Sequence, residues 1–263
     1  MEQLWLPPAM ERRLRGAAYS ENTIGLSKAK VLMFSDMVLK IQPEAPWADR
    51  EAAILEWLAG RIPAPELIEY EKCDGMSYLL MTRIYGRMAC DDVLLEQPEL
   101  LVARLAEALH MLWNVDISSC PVIRDMDTEL AEARYRVENG MVEIERTEPE
   151  TFGAGGFQSP EELLVWLENN KPPYDPVLSH GDFCLPNIFF TEEGIGGLID
   201  LGDSGVGDRW RDIALCHRSL RHNVDGTFGR IRRGVNPDAL FDALGVTPDK
   251  EKLRWYLLLD ELF

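Results

Sequence analysis

Three oxygen-bearing side chains stand at set intervals in the C-terminal half: Asp182 in His180-Gly181-Asp182, Asn187 five residues on, and Asp200 thirteen beyond that. Two carboxylates and an amide offer hard oxygen donors. Such a set suits Mg²⁺, which keeps several waters and binds through one or two carboxylates together with substrate phosphates. A His-Gly-Asp triplet alone also describes a turn with a structural aspartate. The spacing H-x-D-x4-N-x12-D, with a strand hairpin between its last two members, points instead to a magnesium–nucleotide site. Lys40 lies in Met37-Val38-Leu39-Lys40-Ile41, where alternation puts Val38 and Lys40 on one face. A strand lysine facing a cleft can hold a phosphate as a point charge. In the segment that follows, helical spacing sets Glu51 on the face of Ile54, Leu55 and Leu58. A carboxylate there either reaches solvent from the edge or needs a cation, and Lys40 is the candidate.

The elements that position these groups can be read in outline. Lys30–Ser35, Met37–Ile41 and Tyr78–Arg83 read as strands, and Trp47–Ala59 as a helix closed by Gly60 and Pro63-Ala64-Pro65. Further on, Pro98–Trp113 and Pro160–Glu168 are the clearest helices, the second opened by the capping box Ser159-Pro160-Glu161-Glu162. Ile188-Phe189-Phe190 and Gly197-Leu198-Ile199, joined through Thr191-Glu192-Glu193-Gly194, form a hairpin that brings Asn187 beside Asp200. Gly202–Gly207 follows as a glycine-rich loop, Asp208 and Asp212 open a helix as capping residues, and Asp249–Leu262 closes the chain as another. The fold class is α+β: a small β-rich N-terminal lobe over residues 1–84, then a larger, mainly helical lobe over 85–263.

With 27 basic against 45 acidic side chains the net charge is −18, so the footprint of a phosphate-backbone binder is missing and nucleic acid is excluded as a partner. Nearly all of the excess sits in 85–263. Five scattered cysteines, none in C-x-x-C spacing, argue for reduced thiols in a cytoplasmic protein rather than a disulfide framework or zinc knuckle. No apolar run reaches membrane-spanning length, and no basic n-region precedes an apolar stretch at the start. No G-x-x-x-x-G-K-[ST] occurs, which excludes a P-loop.

Taken together, Gly25-Leu26-Ser27, Lys30, Lys40, Leu79-Leu80-Met81, His180-Gly181-Asp182, Asn187, Ile199-Asp200-Leu201-Gly202, Asp208–Ala214 and the terminal Leu259-Asp260-Glu261-Leu262-Phe263 resemble the aminoglycoside 3'-phosphotransferases. That is the small-molecule branch of the protein-kinase-like bilobal fold. The resemblance implies Asp182 as the base facing the acceptor hydroxyl, and Asn187 and Asp200 as Mg²⁺ ligands. Lys40, paired with Glu51, would hold the phosphates of ATP. Gly25 and Ser27 would cover the nucleotide, and the backbone of Met81, Thr82 and Ile84 would hold its adenine. It also implies that a cationic aminoglycoside meets the acidic lobe, with the carboxylates of Asp260, Glu261 and Phe263 on its amino groups. Glu148 and Glu150 would lie in a flexible acidic lid over 138–158. Asp260 and Glu261 crowd the negative end of the last helix, a cost in stability unless a cation binds. Asp203, His222 and Asn223 depart from the family pattern on the acceptor side. The expected protein is a monomer or homodimer. Two alternatives stay open: a kinase of a small metabolic alcohol such as choline, homoserine or methylthioribose, and a nucleotide-binding module without catalysis.

Overall fold

The computed structural model describes residues 5–22, 29–232 and 234–263. A helix α1 (Pro8–Leu14) precedes β1 (Ser20–Asn22), β2 (Lys30–Met33), β3 (Met37–Pro43), helix α2 (Pro46–Leu58), β4 (Leu67–Cys73) and β5 (Met76–Thr82). These strands form one antiparallel sheet in the order β1-β2-β3-β5-β4. Its pleat divides the side chains between two cores. Leu39, Ile41, Tyr78 and Leu80 face α1, packing on Met10 and Leu14. On the other face Leu79 and Met81 pack against Ile54, Leu55 and Leu58 of α2. Lys40 is paired with Leu79 in register and shares that face, so the strand aims its ammonium towards α2.

Beyond the sheet come β6 (Arg87–Met88), α3 (Asp92–Leu95), α4 (Pro98–Trp113), α5 (Met126–Glu138), α6 (Pro160–Asn169), β7 (Pro176–Ser179), β8 (Ile188–Phe190), β9 (Ile195–Leu198) and β10 (Gly205–Asp208). The chain ends with α7 (Arg209–Asp225), α8 (Ala239–Leu244) and α9 (Lys250–Asp260). Leu101, Leu105, Leu109 and Leu112 of α4 are fully buried beside Ile213, Leu220, Trp255 and Leu259. This core is the platform for the hairpin β8–β9, which pairs with β6 on its free side. Ser159 caps α6 by accepting from the Glu162 amide at 3.4 Å, while Glu162 accepts from the Gln158 amide at 2.6 Å. Both ends of the expected box are used, the return bond landing one residue early.

Two expectations need correction. The stretch Gly202–Gly207 is no free loop: residues from Gly205 form β10, antiparallel to β7. The glycines are needed for close approach, since a Cβ at Gly205 would stand 2.8 Å from Val122 O and one at Gly207 2.9 Å from Ser179 Cβ. The last helix stops at Asp260 instead of Leu262, with Glu261 as its C-cap.

Candidate active site

Asp182 and Asn187 lie on the segment between β7 and β8, and Asp200 on the turn after β9. The Ile199 amide donates to Asn187 O at 2.9 Å, closing the mouth of the hairpin. Asn187 then donates from Nδ2 to Asp182 Oδ2 at 2.8 Å and to Asp182 O at 3.1 Å. With its nitrogen so committed, the amide oxygen is the atom left for a cation. Asp200 sits at φ +59°, a left-handed conformation unusual for a residue with a side chain, and its carboxylate is half exposed towards the cleft. No group of three or more His, Cys, Asp or Glu placed to hold an ion occurs among the described residues. The protein therefore offers an amide oxygen and a carboxylate. This hard, incomplete donor set fits Mg²⁺ that completes its shell with phosphates and water.

Lys40 occupies the other wall. Its Nζ is 2.9 Å from Glu51 Oε2 and 2.7 Å from Asp200 Oδ1. Burial pulls the ammonium down, but Glu51 and then Asp200 outweigh it, so its pKa is raised and the charge is permanent. Asp182 behaves oppositely. Burial, opposed by the Cys184 side chain and reinforced by Asp260, Asp200 and Asp203, pushes its carboxyl up to about 6.

The loop under Asp182 is braced from two directions. His180 Nδ1 accepts from the Asp182 amide at 3.2 Å while Nε2 meets Ile199 O at 3.0 Å. A neutral ring protonated on Nε2 satisfies both, in keeping with a pKa lowered by burial. Asp212, expected as a helix cap, does something else. Fully buried in the first turn of α7, it accepts from Ser179 Oγ at 3.0 Å and from the His180 and Gly181 amides at 2.9 Å each. Asp208 is the cap, accepting from the Trp210 amide at 2.9 Å. Replacing Asp212 by Ala would orphan the buried His180 amide, free the Ser179 hydroxyl and leave the Gly181 amide only its 3.2 Å bond to Ser179 Oγ, so a loss of about 3 kcal/mol is expected in the urea unfolding of Asp212→Ala.

The remaining expected residues divide unevenly. Ser27 lies outside the described residues. Met81 is a buried sheet residue, and the amides of Thr82 and Arg83 are committed to Glu66 O and Asp36 O at 3.0 and 2.9 Å. Of that stretch Ile84 packs its side chain against Gly197 of the hairpin, where a Cβ would approach it to 2.8 Å. Asp260, Glu261 and Phe263 do gather, but the expectation of uncompensated charge is wrong. Arg218 pairs with Asp260 and reaches Glu261 at 3.4 Å. Arg136 donates to the terminal Phe263 O and to Leu262 O, the latter at 2.8 Å.

Glu148 is likewise no free lid carboxylate. Its oxygens lie 3.1 Å from His222 Nε2 and 3.8 Å from Arg221 Nη2, and its amide donates to Glu261 Oε2 at 2.9 Å. Glu150 is exposed, next to a turn in which the Phe157 amide donates to Thr151 O at 2.9 Å. Arginines and histidine on α5 and α7 therefore already occupy the acids from which an acceptor wall was expected. The sequence reading singled out none of these arginines: Arg218 and Arg221 stand beside the departures His222 and Asn223, the one signal that could have found them, and Arg136 carries none.

A model of the phosphotransferase enzyme family matches residues 24–255. The chain belongs to that family. Among relatives, it is 33% identical over 275 residues to an aminoglycoside 3'-phosphotransferase of Enterococcus faecalis, with the whole of both chains covered. It is 32% identical over 274 residues to one of Staphylococcus aureus, again over the full length of both. Among solved structures, an aminoglycoside-3'-phosphotransferase of type VIII superposes with a TM-score of 0.80 at 29% identity, covering 97% of each chain. The fold class is thus that of the kinase-like aminoglycoside phosphotransferases.

Proposed function

We propose that the protein moves the γ-phosphoryl group of ATP to the 3'-hydroxyl of a kanamycin- or neomycin-like aminoglycoside, conferring resistance to it. The observation that supports this most is the meeting of Lys40 and Glu51 on one wall with Asp182, Asn187 and Asp200 on the other, joined by the 2.7 Å Lys40–Asp200 pair. Lys40 holds the α- and β-phosphates, kept in place by Glu51. Asn187 and Asp200 would hold Mg²⁺, which would supply charge neutralisation for the transferring phosphates. Asp182 orients the acceptor hydroxyl and takes its proton as the oxygen attacks phosphorus and ADP leaves. The Ile84 amide serves the adenine, and residues 1–84 form the nucleotide lobe against 85–263. Five free cysteines and the absence of any helix long and apolar enough to span a membrane, both among the described residues, suit the cytoplasm.

The acceptor is bound by Asp260, Glu261, the Phe263 carboxylate and Glu148, exchanging Arg218, Arg136 and His222 for its ammonium groups. With Asp203, His222 and Asn223 on this side, its spectrum is narrower than, or shifted from, that of its relatives. A nucleotide-consumption assay over aminoglycosides, choline and homoserine, with phosphorus and proton NMR of the product, tests the reading. Phosphate on another position, or transfer to choline or homoserine alone, refutes it. We further expect Asp260→Asn with Glu261→Gln to raise the acceptor KM several-fold while the nucleotide KM holds, and added salt to raise the acceptor KM too, through screening.

A further inference from the structure

Arg50 precedes Glu51 on α2 and points across the cleft. Its Nη1 is 3.1 Å from Glu132 Oε2 of α5 and its Nη2 3.3 Å from Asp203 Oδ1, while Nε donates to Gly202 O at 3.4 Å. From there the charges continue inward. Arg124, only 1% exposed, is 3.3 Å from the same Asp203 oxygen, 2.8 Å from Glu132 Oε2 and 3.6 Å from Glu129 Oε1. Glu129 pairs with Arg211, equally buried, at 2.5 Å, and Arg211 Nε donates to Gly181 O at 2.6 Å. Gly181 in turn has no room for a side chain, since a Cβ would stand 2.2 Å from Asp203 O. Three arginines and three carboxylates thus join the helix that carries Glu51 to the peptide before Asp182.

Buried ion pairs of this kind add little stability over apolar residues of the same size, because desolvation offsets their attraction. What they do impose is geometry, since each planar guanidinium accepts only a narrow range of partner positions. We infer that Arg50 is a positioning residue for phosphoryl transfer: through Asp203, Arg124 and Arg211 it fixes α2, and with it the Lys40–Glu51 pair, relative to the Asp182 loop. This rests on the roles proposed above for Lys40 and Asp182.

Arg50 lies at the partly exposed end of the network, which lets it be changed without unfolding the core. Arg50→Met should lower kcat about tenfold and raise the nucleotide KM, with the acceptor KM within about twofold of wild type and the melting midpoint little changed. Arg50→Lys, which keeps the charge but not the fork, should recover part of kcat. In a double-mutant cycle, Arg50→Met with Asp203→Asn should lose no more than the worse single variant. A folded Arg50→Met enzyme with wild-type kcat, or losses that multiply, would overturn the inference. Hydrogen exchange reads the same coupling with no acceptor present. The amides of 180–183 should exchange several-fold faster in Arg50→Met, and unchanged exchange there refutes the coupling whatever acceptor the enzyme proves to use.

Discussion

Asp182→Asn is expected to lose turnover by about a hundredfold to ten-thousandfold, the span of general-base catalysis, with nucleotide KM nearly unchanged. Asparagine preserves shape and can still receive the bond from Asn187 Nδ2, so the variant isolates the proton acceptor from the scaffold. Two further signs are tied to the carboxyl pushed up to about 6. Wild-type kcat/KM should fall about tenfold per pH unit below that value, as the base is protonated, and the residual activity of the variant should lack this limb. The raised pKa also means that ionised Asp182 opposes folding. Its contribution is fully favourable below the ordinary aspartate value of about 4 and is lost as pH rises through about 6. Asp182→Asn should therefore be the more stable protein at neutral pH, by about 1 kcal/mol or more, and lose that advantage in acid. Turnover close to wild type in the folded variant, or an unchanged acid limb, contradicts the assignment.

Lys40→Met should be nearly inactive and also unstable. Glu51, 2% exposed at its side chain, would be left buried without its cation, a defect of about 3–5 kcal/mol. Burial, with Asp200 and Asp203 nearby, already raises the Glu51 pKa against the pull of Lys40. Without the lysine the rise is greater, so the deficit should grow as pH rises towards the folded carboxyl's pKa and shrink as acid protonates it. Lys40→Met with Glu51→Gln separates the two roles: denaturation midpoints should return towards wild type while turnover stays lost. Recovery of both would reduce Lys40 to a structural counter-ion.

Much of this site could be read before the fold was seen, because its chemistry is local in sequence. The hairpin between Asn187 and Asp200 carries its own turn, and Lys40 and Glu51 lie on two adjacent elements whose periods reveal which way each side chain faces. Other parts were hidden for physical reasons. The strand β4, Leu-Ile-Glu-Tyr-Glu-Lys-Cys, is half polar because it forms the edge of its sheet, and it was not anticipated. The strand β10 has glycines where a strand ordinarily has branched side chains, so propensity alone reads it as a loop. Arg50, Arg124 and Arg211 carry no local sign of a shared network in the sequence. Only pairing between residues 79 and 153 positions apart takes Arg124 and Arg50 to Asp203, and no local pattern reports that. The same holds for Arg136 at the carboxyl end.

The helix α7 serves two masters along its length. Its first turn holds Arg211 and Asp212 under the His180–Asp182 loop, and its later turns present Arg218, Arg221 and His222 to the acids around Glu148 and Glu261. At 1.5 Å per residue the two ends are separated by about 15 Å of rigid rod. Ser219 is tied to the catalytic side, its Oγ accepting from the buried Leu185 amide at 3.0 Å, whereas the side chains of Arg221 and His222 meet Glu148, and substitutions at those two positions can be sampled by evolution with little disturbance of the phosphoryl-transfer end. On the acceptor site proposed above, a lineage under changing antibiotic exposure would retune which drugs it inactivates at those two positions, while the selective constraint on the first turn of the helix stays intact.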